Sequence, residues 1–306
     1  MAITAFAPAT VANLGPGFDV LGLALHEPGD RVTARTAEGE GVRIVSIQGD
    51  DARLPTRAED NTAGIAAAVT LELAGVRAGI EIELEKGLPL GSGLGSSAAS
   101  AAAAAWAVNR LIGSPLMDLD LVEACLEAES AVSGRHADNV AAAVLGGIVM
   151  VRSVDPLDVV SLPVPRGLSV AVVTPEFEFP TRKAREVLPH SVSLTEMVRG
   201  QAALAGLVSA LYMGDLALLG RSLEEHVITP ARTPLIPGAR GVMETANRAG
   251  ALGSGLSGSG PSVFALCRDL ESAGAVAGAM VEAYAKAGLA SQVIVSPAEC
   301  PGAREA

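Results

Sequence analysis

The run Pro89-Leu90-Gly91-Ser92-Gly93-Leu94-Gly95-Ser96-Ser97-Ala98-Ala99 carries the strongest chemical signal in the chain. Its three glycines stand at alternate positions, which lets the backbone turn tightly and come close to a ligand. Two serines then open an alanine-rich helix, whose first N–H groups and dipole favour an anion. A glycine-rich loop between a strand and a helix N-terminus reads as a phosphate cradle built from backbone. No Gly-Lys-Ser/Thr follows, so it is not a Walker A loop, and Ser96 at the sixth position breaks the GxGxxG pattern. The plainer reading is a helix-entry turn with no ligand.

Three further stretches hold polar chemistry. Ala251-Leu252-Gly253-Ser254-Gly255-Leu256-Ser257-Gly258-Ser259-Gly260-Pro261 is so rich in small residues that it suggests a loop lying against something large, or else a flexible surface loop. Ser133-Gly134-Arg135-His136-Ala137-Asp138-Asn139 crowds polar side chains between a helix and an apolar strand, suited to a polar small substrate or to a helix C-cap at Gly134. Glu129, one turn earlier, offers a hard carboxylate oxygen to Mg²⁺. Asn13 and Asp19 flank a Gly-Pro-Gly turn, and both are also ordinary turn formers. His26, His190 and His226 have no evident partners and read as structural.

The elements that must position these residues follow from periodicity. Val32–Ala34, Arg43–Ile47 and Ile80–Leu84 alternate at period two and read as strands. Asn61–Ala74, Ser97–Leu111 and Leu119–Ala131 read as helices, and Leu145–Val151 as a returning strand. The proline-rich stretch 156–167 suggests a boundary. Beyond it come a strand at Leu168–Val173, a helix at Leu194–Leu211, a loop at Gly250–Gly255, a strand at Ser262–Cys267, a helix at Leu270–Gly288 and a strand at Gln292–Val295. The layout is α+β, without a strict βαβ repeat, which argues against a dinucleotide-binding Rossmann enzyme.

At 306 residues, 49% hydrophobic and 18% charged, the chain can bury a sizeable core. The net charge of -12 argues against a nucleic-acid footprint and means that a polyphosphate must be held by local devices. No run approaches the ~20 apolar residues of a membrane span, and the N-terminus shows no signal-peptide pattern. Cys125, Cys267 and Cys300 are widely spaced, so a cytoplasmic protein without disulfides or zinc sites is expected. The three lysines Lys86, Lys183 and Lys286 leave few candidates for lysine catalysis.

Together the motifs resemble the GHMP small-molecule kinases, and most nearly their homoserine kinase branch. The resemblance runs nearly end to end. It is carried by Val11-Ala12-Asn13-Leu14-Gly15-Pro16-Gly17-Phe18-Asp19-Val20-Leu21-Gly22, by His136-Ala137-Asp138-Asn139-Val140-Ala141 and by Ala184-Arg185-Glu186-Val187-Leu188-Pro189, beside the glycine loop. It implies an N-terminal domain similar to domain 2 of ribosomal protein S5, at 1–163, and a ferredoxin-like C-terminal domain, at 164–306, with the active site between them. It further implies ATP with Mg²⁺ as donor, L-homoserine as acceptor and O-phospho-L-homoserine, for threonine synthesis, as product, in a homodimer.

On the same resemblance the ATP site falls on Pro89 to Ala99 with Asn61 and Thr62 towards the adenine. The metal falls on Ser97, with Ser96 a further candidate, and on Glu129. The amino-acid site falls on Asn13, Asp19, His136, Asp138, Arg185 and Arg232, and the catalytic group on Asn13, Asp19, Thr181 and Arg185, with Thr181 near the transferred phosphoryl group. Asp19 and Asp138 suit an ammonium or hydroxyl, and either arginine suits a carboxylate through bidentate bonds. Asp19 as a base for the hydroxyl proton is the alternative to Asp19 as a positioning group. A sibling kinase for mevalonate, a sugar or shikimate would have less need of Asp19 and Asp138.

Overall fold

The computed structural model describes residues 1–132 and 134–306, the side chain of Thr181 excepted. Ser133, placed by sequence in the polar loop before His136, lies outside the described residues. The chain opens with β1 (Ala2–Ala12) antiparallel to β2 (Leu21–Ala37). β3 (Gly41–Gln48) and β4 (Gly79–Glu85) run parallel, joined through α1 (Thr62–Leu73). Then come α2 (Ser96–Leu111), α3 (Asp118–Val132), α4 (Asp138–Leu145), β5 (Ile148–Val154) and β6 (Leu157–Leu162). The first sheet has the order β4-β2 at its centre, β3 outside β4, β1 on the other side of β2, and β5 and β6 continuing from the start of β2.

Next follow β7 (Ser169–Pro175), α5 (Thr181–Glu186), α6 (Leu194–Met213), α7 (Leu216–Arg221), α8 (Ile228–Arg232) and α9 (Ala239–Arg248). β8 (Gly253–Leu256), β9 (Val263–Cys267), α10 (Leu270–Lys286) and β10 (Ser291–Pro297) complete a second, antiparallel sheet of order β10-β7-β9-β8. With helices between β7 and β8 and between β9 and β10, this is the β-α-β-β-α-β arrangement of ferredoxin-like folds. The last strand, β11 (Arg304–Glu305), returns to pair with β1 in the first sheet.

α2 is the axis of the first layer. Ala98, Ala99, Ala101 to Ala105 and Ala107 are all fully buried. Alanine has the highest helix propensity and no side chain to hold neighbours apart, so the sheet, α1, α3 and α4 all pack closely on it. That packing fixes where the N-terminus of α2 points, and the glycine loop sits there.

Four expectations are corrected. β1 was missed because residues 5–12 are buried on both faces and show no alternation. Residues 138–145, between the polar stretch 133–139 and the strand expected from Leu145, form α4, and the returning strand starts at Ile148. The proline-rich stretch 156–167 holds β6 paired with β5 rather than a bare connection. Gly250–Gly255, read as loop, contributes β8. Cys125, Cys267 and Cys300 are buried free thiols. Among the described residues no helix is long and apolar enough to cross a membrane.

Candidate active site

A cavity of about 460 Å³ gathers the predicted residues. Its walls come from the β1–β2 turn, the start of α1, the glycine loop, α3, the turn before α4, α5, α8 and the loop after β8.

One end is the glycine loop. Gly91, Gly93 and Gly95 all take positive φ (67°, 77° and 65°), the left-handed region that other residues enter at a cost. Gly95 also lies against Thr10 and Asn139, leaving no room for a Cβ. The carbonyls that would repel an anion are engaged by the protein. Ser262 Oγ donates to Ser92 O (2.6 Å), Ser257 Oγ to Gly93 O (2.7 Å) and the Thr10 N–H to Leu94 O (3.0 Å). The second glycine-rich stretch is thus the large neighbour's counterpart: it lies against the first loop. α2 begins after Gly95 without a side-chain cap. Its first-turn amides have no intrahelical acceptor, which suits that end of the helix to an anion.

Between the two ends, Ser97 Oγ donates to Glu129 Oε1 at 3.2 Å, which joins α2 to α3 at the cavity wall. Glu129 is buried (7% exposed). Thr62 Oγ1 donates to Ser97 O (3.3 Å), and Asn61 caps α1 through Ala63 N while its amide donates to Pro55 O (2.9 Å).

The other end is built from charged side chains. Arg185 grips Asp19 in a two-pronged ion pair, Nη2–Oδ1 2.9 Å and Nη1–Oδ2 3.2 Å, and His136 Nδ1 lies 3.4 Å from Asp19 Oδ2. Asn13 fixes that geometry: its Oδ1 accepts from Asp19 N (3.1 Å) and its Nδ2 donates to Gly258 O (2.9 Å). Asn13, Leu14 and Asp19 all take positive φ, so the turn is strained into place. Arg232 is buried, donating to Ala184 O (3.0 Å) and Gly258 O (2.9 Å), and both arginines lie over the Phe18 ring.

This end has the perturbed acids and bases of a binding site. Burial, reinforced by the Asp19 and Glu129 carboxylates, pushes Asp138 up to about 7. Burial and the nearby Arg185 charge push Arg232 down to about 10. Burial lowers His136, with Arg185 acting in the same sense and Asp19 opposing.

The structure brings Asn13, Asp19, Asn61, Thr62, Leu90, Gly91, Ser92, Gly93, Gly95, Ser96, Ser97, Glu129, His136, Asp138, Arg185 and Arg232 to one cavity. It does not bring Leu94, Ala98 and Ala99 there, which are core, nor Pro89, which lines a neighbouring hollow beside Arg53. The side chain of Thr181 lies outside the described residues; its backbone opens α5. Asn139, which the polar stretch 133–139 also offered, lines the cavity too, as do Lys86, Ser100 and Ser259, which were missed. Asn139 sits next to the chosen Asp138, and Ser100 stands one turn beyond Ser96. Lys86, one of the chain's three lysines, stands just after the strand before the loop, a signal that was available.

Residues 61–147 match the GHMP kinases N terminal domain and residues 207–286 the GHMP kinases C terminal domain. The glycine loop, Glu129, His136 and Asp138 lie within the first match and Arg232 within the second. A homoserine kinase of Arabidopsis thaliana is 45% identical, the match covering 99% of this chain and 84% of that one. A homoserine kinase of Chloroherpeton thalassium is 44% identical over 99% of this chain and 98% of its own. The crystal structure of homoserine kinase from Cytophaga hutchinsonii superposes with a TM-score of 0.96 at 48% identity, covering 99% and 96% of the two chains. The chain belongs to the GHMP kinases, and within them to the homoserine kinase family.

Proposed function

We propose that the protein transfers the γ-phosphoryl group of ATP to the side-chain hydroxyl of L-homoserine, yielding ADP and O-phospho-L-homoserine for threonine synthesis. The observation that carries this is one cavity with two unlike ends. A backbone cradle whose carbonyls are engaged faces a cluster that pairs acids with guanidinia, suited to a zwitterionic amino acid.

ATP places its phosphates on residues 91–97 and its adenine near Leu54, Pro55, Asn61 and Thr62, where the Asn61 amide holds the wall in shape. The homoserine carboxylate goes to Arg185 and Arg232, and its ammonium to Asp19 and Asp138, with Asn13 and His136 holding Asp19 in place. The hydroxyl oxygen attacks the γ-phosphorus, the bond to the β-phosphate oxygen breaks, and the hydroxyl proton leaves with the transferred group. Asp19 already accepts both prongs of Arg185, which supports positioning rather than base catalysis. Thr181, at the start of α5, is assigned beside the transferred group. Catalysis then consists of alignment and electrostatic stabilisation.

Mg²⁺ fits the Ser97–Glu129 pair, a hydroxyl and a buried carboxylate, both hard oxygen donors. When bound, it neutralises charge on the β- and γ-phosphates. We divide the chain at 163/164, after β6, with β11 returning across that division. We further propose a cytoplasmic homodimer. Three buried free thiols suit a reducing compartment, and Leu194, Met197 and Val198 on α6 present an exposed apolar face for a second copy.

The test is ADP release with MgATP and L-homoserine, run beside D-homoserine, L-serine, mevalonate, galactose and shikimate. Turnover confined to L-homoserine is expected; turnover on another acceptor would overturn the Asp19 and arginine assignments. Glu129→Ala should lower kcat by at least ~10²-fold in folded protein, the size of a lost electrostatic contact. Near-normal turnover would remove Glu129 from the metal site.

A further inference from the structure

Beneath the glycine loop lies a buried polar cluster that the reaction described above does not use. Asp30, on β2, and Lys86, just after β4, form an ion pair whose side chains are 0% and 1% exposed. Ser100, on the second turn of α2, completes it. Every proton and oxygen has a partner. Asp30 Oδ1 accepts from Gly87 N (3.0 Å), and Oδ2 accepts from Lys86 Nζ and from Ser100 Oγ (2.7 Å). The ammonium also donates to Ser100 Oγ (2.8 Å) and to the carbonyl of Ser96 (2.8 Å).

Two features of this wiring point beyond stability. First, a single carboxylate holds both ends of the loop: Gly87 at its entry directly, and the first turn of α2 at its exit through Lys86 and Ser100. Second, the carbonyl of Ser96 and the N–H of Ser97 belong to one peptide unit. An ammonium bonded to that carbonyl draws electron density away from the N–H and makes it a stronger donor, because bonded dipoles polarise one another in a low-dielectric interior. The chain has no lysine inside the loop that could touch a phosphate, and its net charge is -12.

We propose that Lys86, held by Asp30 and Ser100, is a positioning residue for nucleotide phosphates. It acts through the Ser96–Ser97 peptide from behind the loop and fixes the loop's two ends at their working separation. This rests on the reading that residues 91–97 hold the phosphates. It directs the lysine's effect to the phosphate chain, because the peptide that the ammonium holds is the one that opens α2 at the loop.

The test compares the wild type with Asp30→Asn/Lys86→Met, which removes both buried charges together, and with Ser100→Ala, a smaller lesion that leaves the ion pair whole. The double variant avoids the unpaired buried Asp30 that Lys86→Met alone would leave. ADP and AMP affinities are measured by calorimetry, and kcat and KM for each substrate by ADP release. The expected result is at least about tenfold weaker ADP binding in the double variant, the size of a charge-assisted contact. A smaller loss in the same direction is expected for Ser100→Ala. AMP affinity and KM for homoserine should stay unchanged in both, and the melting temperature of Ser100→Ala near that of the wild type. Equal losses for ADP and AMP would show a merely structural role and overturn the proposal, as would unchanged ADP binding in a folded double variant. Ser97→Ala separates the two readings. If it weakens ADP binding while the double variant does not, only the role of Lys86 fails; if neither variant nor wild type distinguishes ADP from AMP, the phosphate-loop reading itself fails.

Discussion

At the 87–97 end of the cavity, the wall is mostly backbone, and the side chains of Ser257 and Ser262 hold that backbone still. At the Asp19 end, the groups are charged side chains, and the backbone only delivers them. The loop is one continuous segment whose shape is set by three left-handed glycines and by bonds from Ser257, Ser262 and Thr10. The Asp19 end draws Asp19, His136, Asp138, Arg185 and Arg232 from segments more than two hundred residues apart; Arg185 and His136 converge on Asp19, while Arg232 is held by the carbonyls of Ala184 and Gly258. A phosphate offers the same oxygens from every side, so regularly spaced N–H groups suffice. A zwitterionic amino acid offers opposite charges a few bonds apart, so acids and guanidinia must alternate in space.

The comparison is broken most severely at Gly93. A Cβ there would stand 2.5 Å from Ser257 O and 2.6 Å from Gly260 O, both backbone atoms. Gly93→Ala should cut kcat/KM for ATP by about 10³-fold or more, since the cradle and its support must part. Near-normal ATP kinetics would show that the loop tolerates a wider contact with its neighbour.

Next comes Arg185→Met, which removes one guanidinium and leaves Asp19 half-paired. KM for homoserine should rise by about 10²-fold, the size reported for breaking a hydrogen-bonded charge pair in a binding site. ADP affinity should not change. A parallel fall in ADP affinity would mean that the two ends are not separable.

The third prediction sharpens the contrast through pH. In nucleotide-free and metal-free protein, Asp138 sits near 7 through burial and the neighbouring carboxylates, well above an ordinary carboxylate. The folded state then keeps a proton that the unfolded chain has lost. Raising the pH from about 4 to about 7 should therefore cost stability, by up to a few kcal/mol, with little further loss above 7. Asp138→Asn has no such proton, so its melting temperature should lack that component of the slope. Parallel curves for the two proteins would show that Asp138 ionises normally.

The smallest effect is expected at Gly91. A Cβ there meets nothing within 4 Å, and only its φ of +67° opposes a side chain. Gly91→Ala should cost about 1 kcal/mol in stability and change kcat/KM for ATP by less than about tenfold. A loss as large as that of Gly93→Ala would mean that the ligand itself needs the space at Gly91.

The alanine-rich α2, the period-two strands β3 and β4 and the glycine loop were all legible because each is a local pattern: propensity, alternation and φ are properties of neighbouring residues. β1 escaped because residues covered on both faces do not alternate, and α4 because His136 to Asn139 carry turn-forming types ahead of a helix. Lys86 escaped for a different reason: its partners Asp30 and Ser100 lie 56 and 14 residues away, so its place just before the glycine loop did not show what it holds.

By itself, then, the sequence determined the glycine loop, the alanine helix behind it and the order of polar motifs that resembles one kinase family. Only the tertiary structure decided that the second glycine stretch braces the first, that Arg185 is already bound to Asp19, and that burial lifts Asp138 towards neutrality. Glycine spacing acts through backbone torsions, which are local. Ion pairs and desolvation depend on which distant segments share a volume, and that is settled only when the chain has packed.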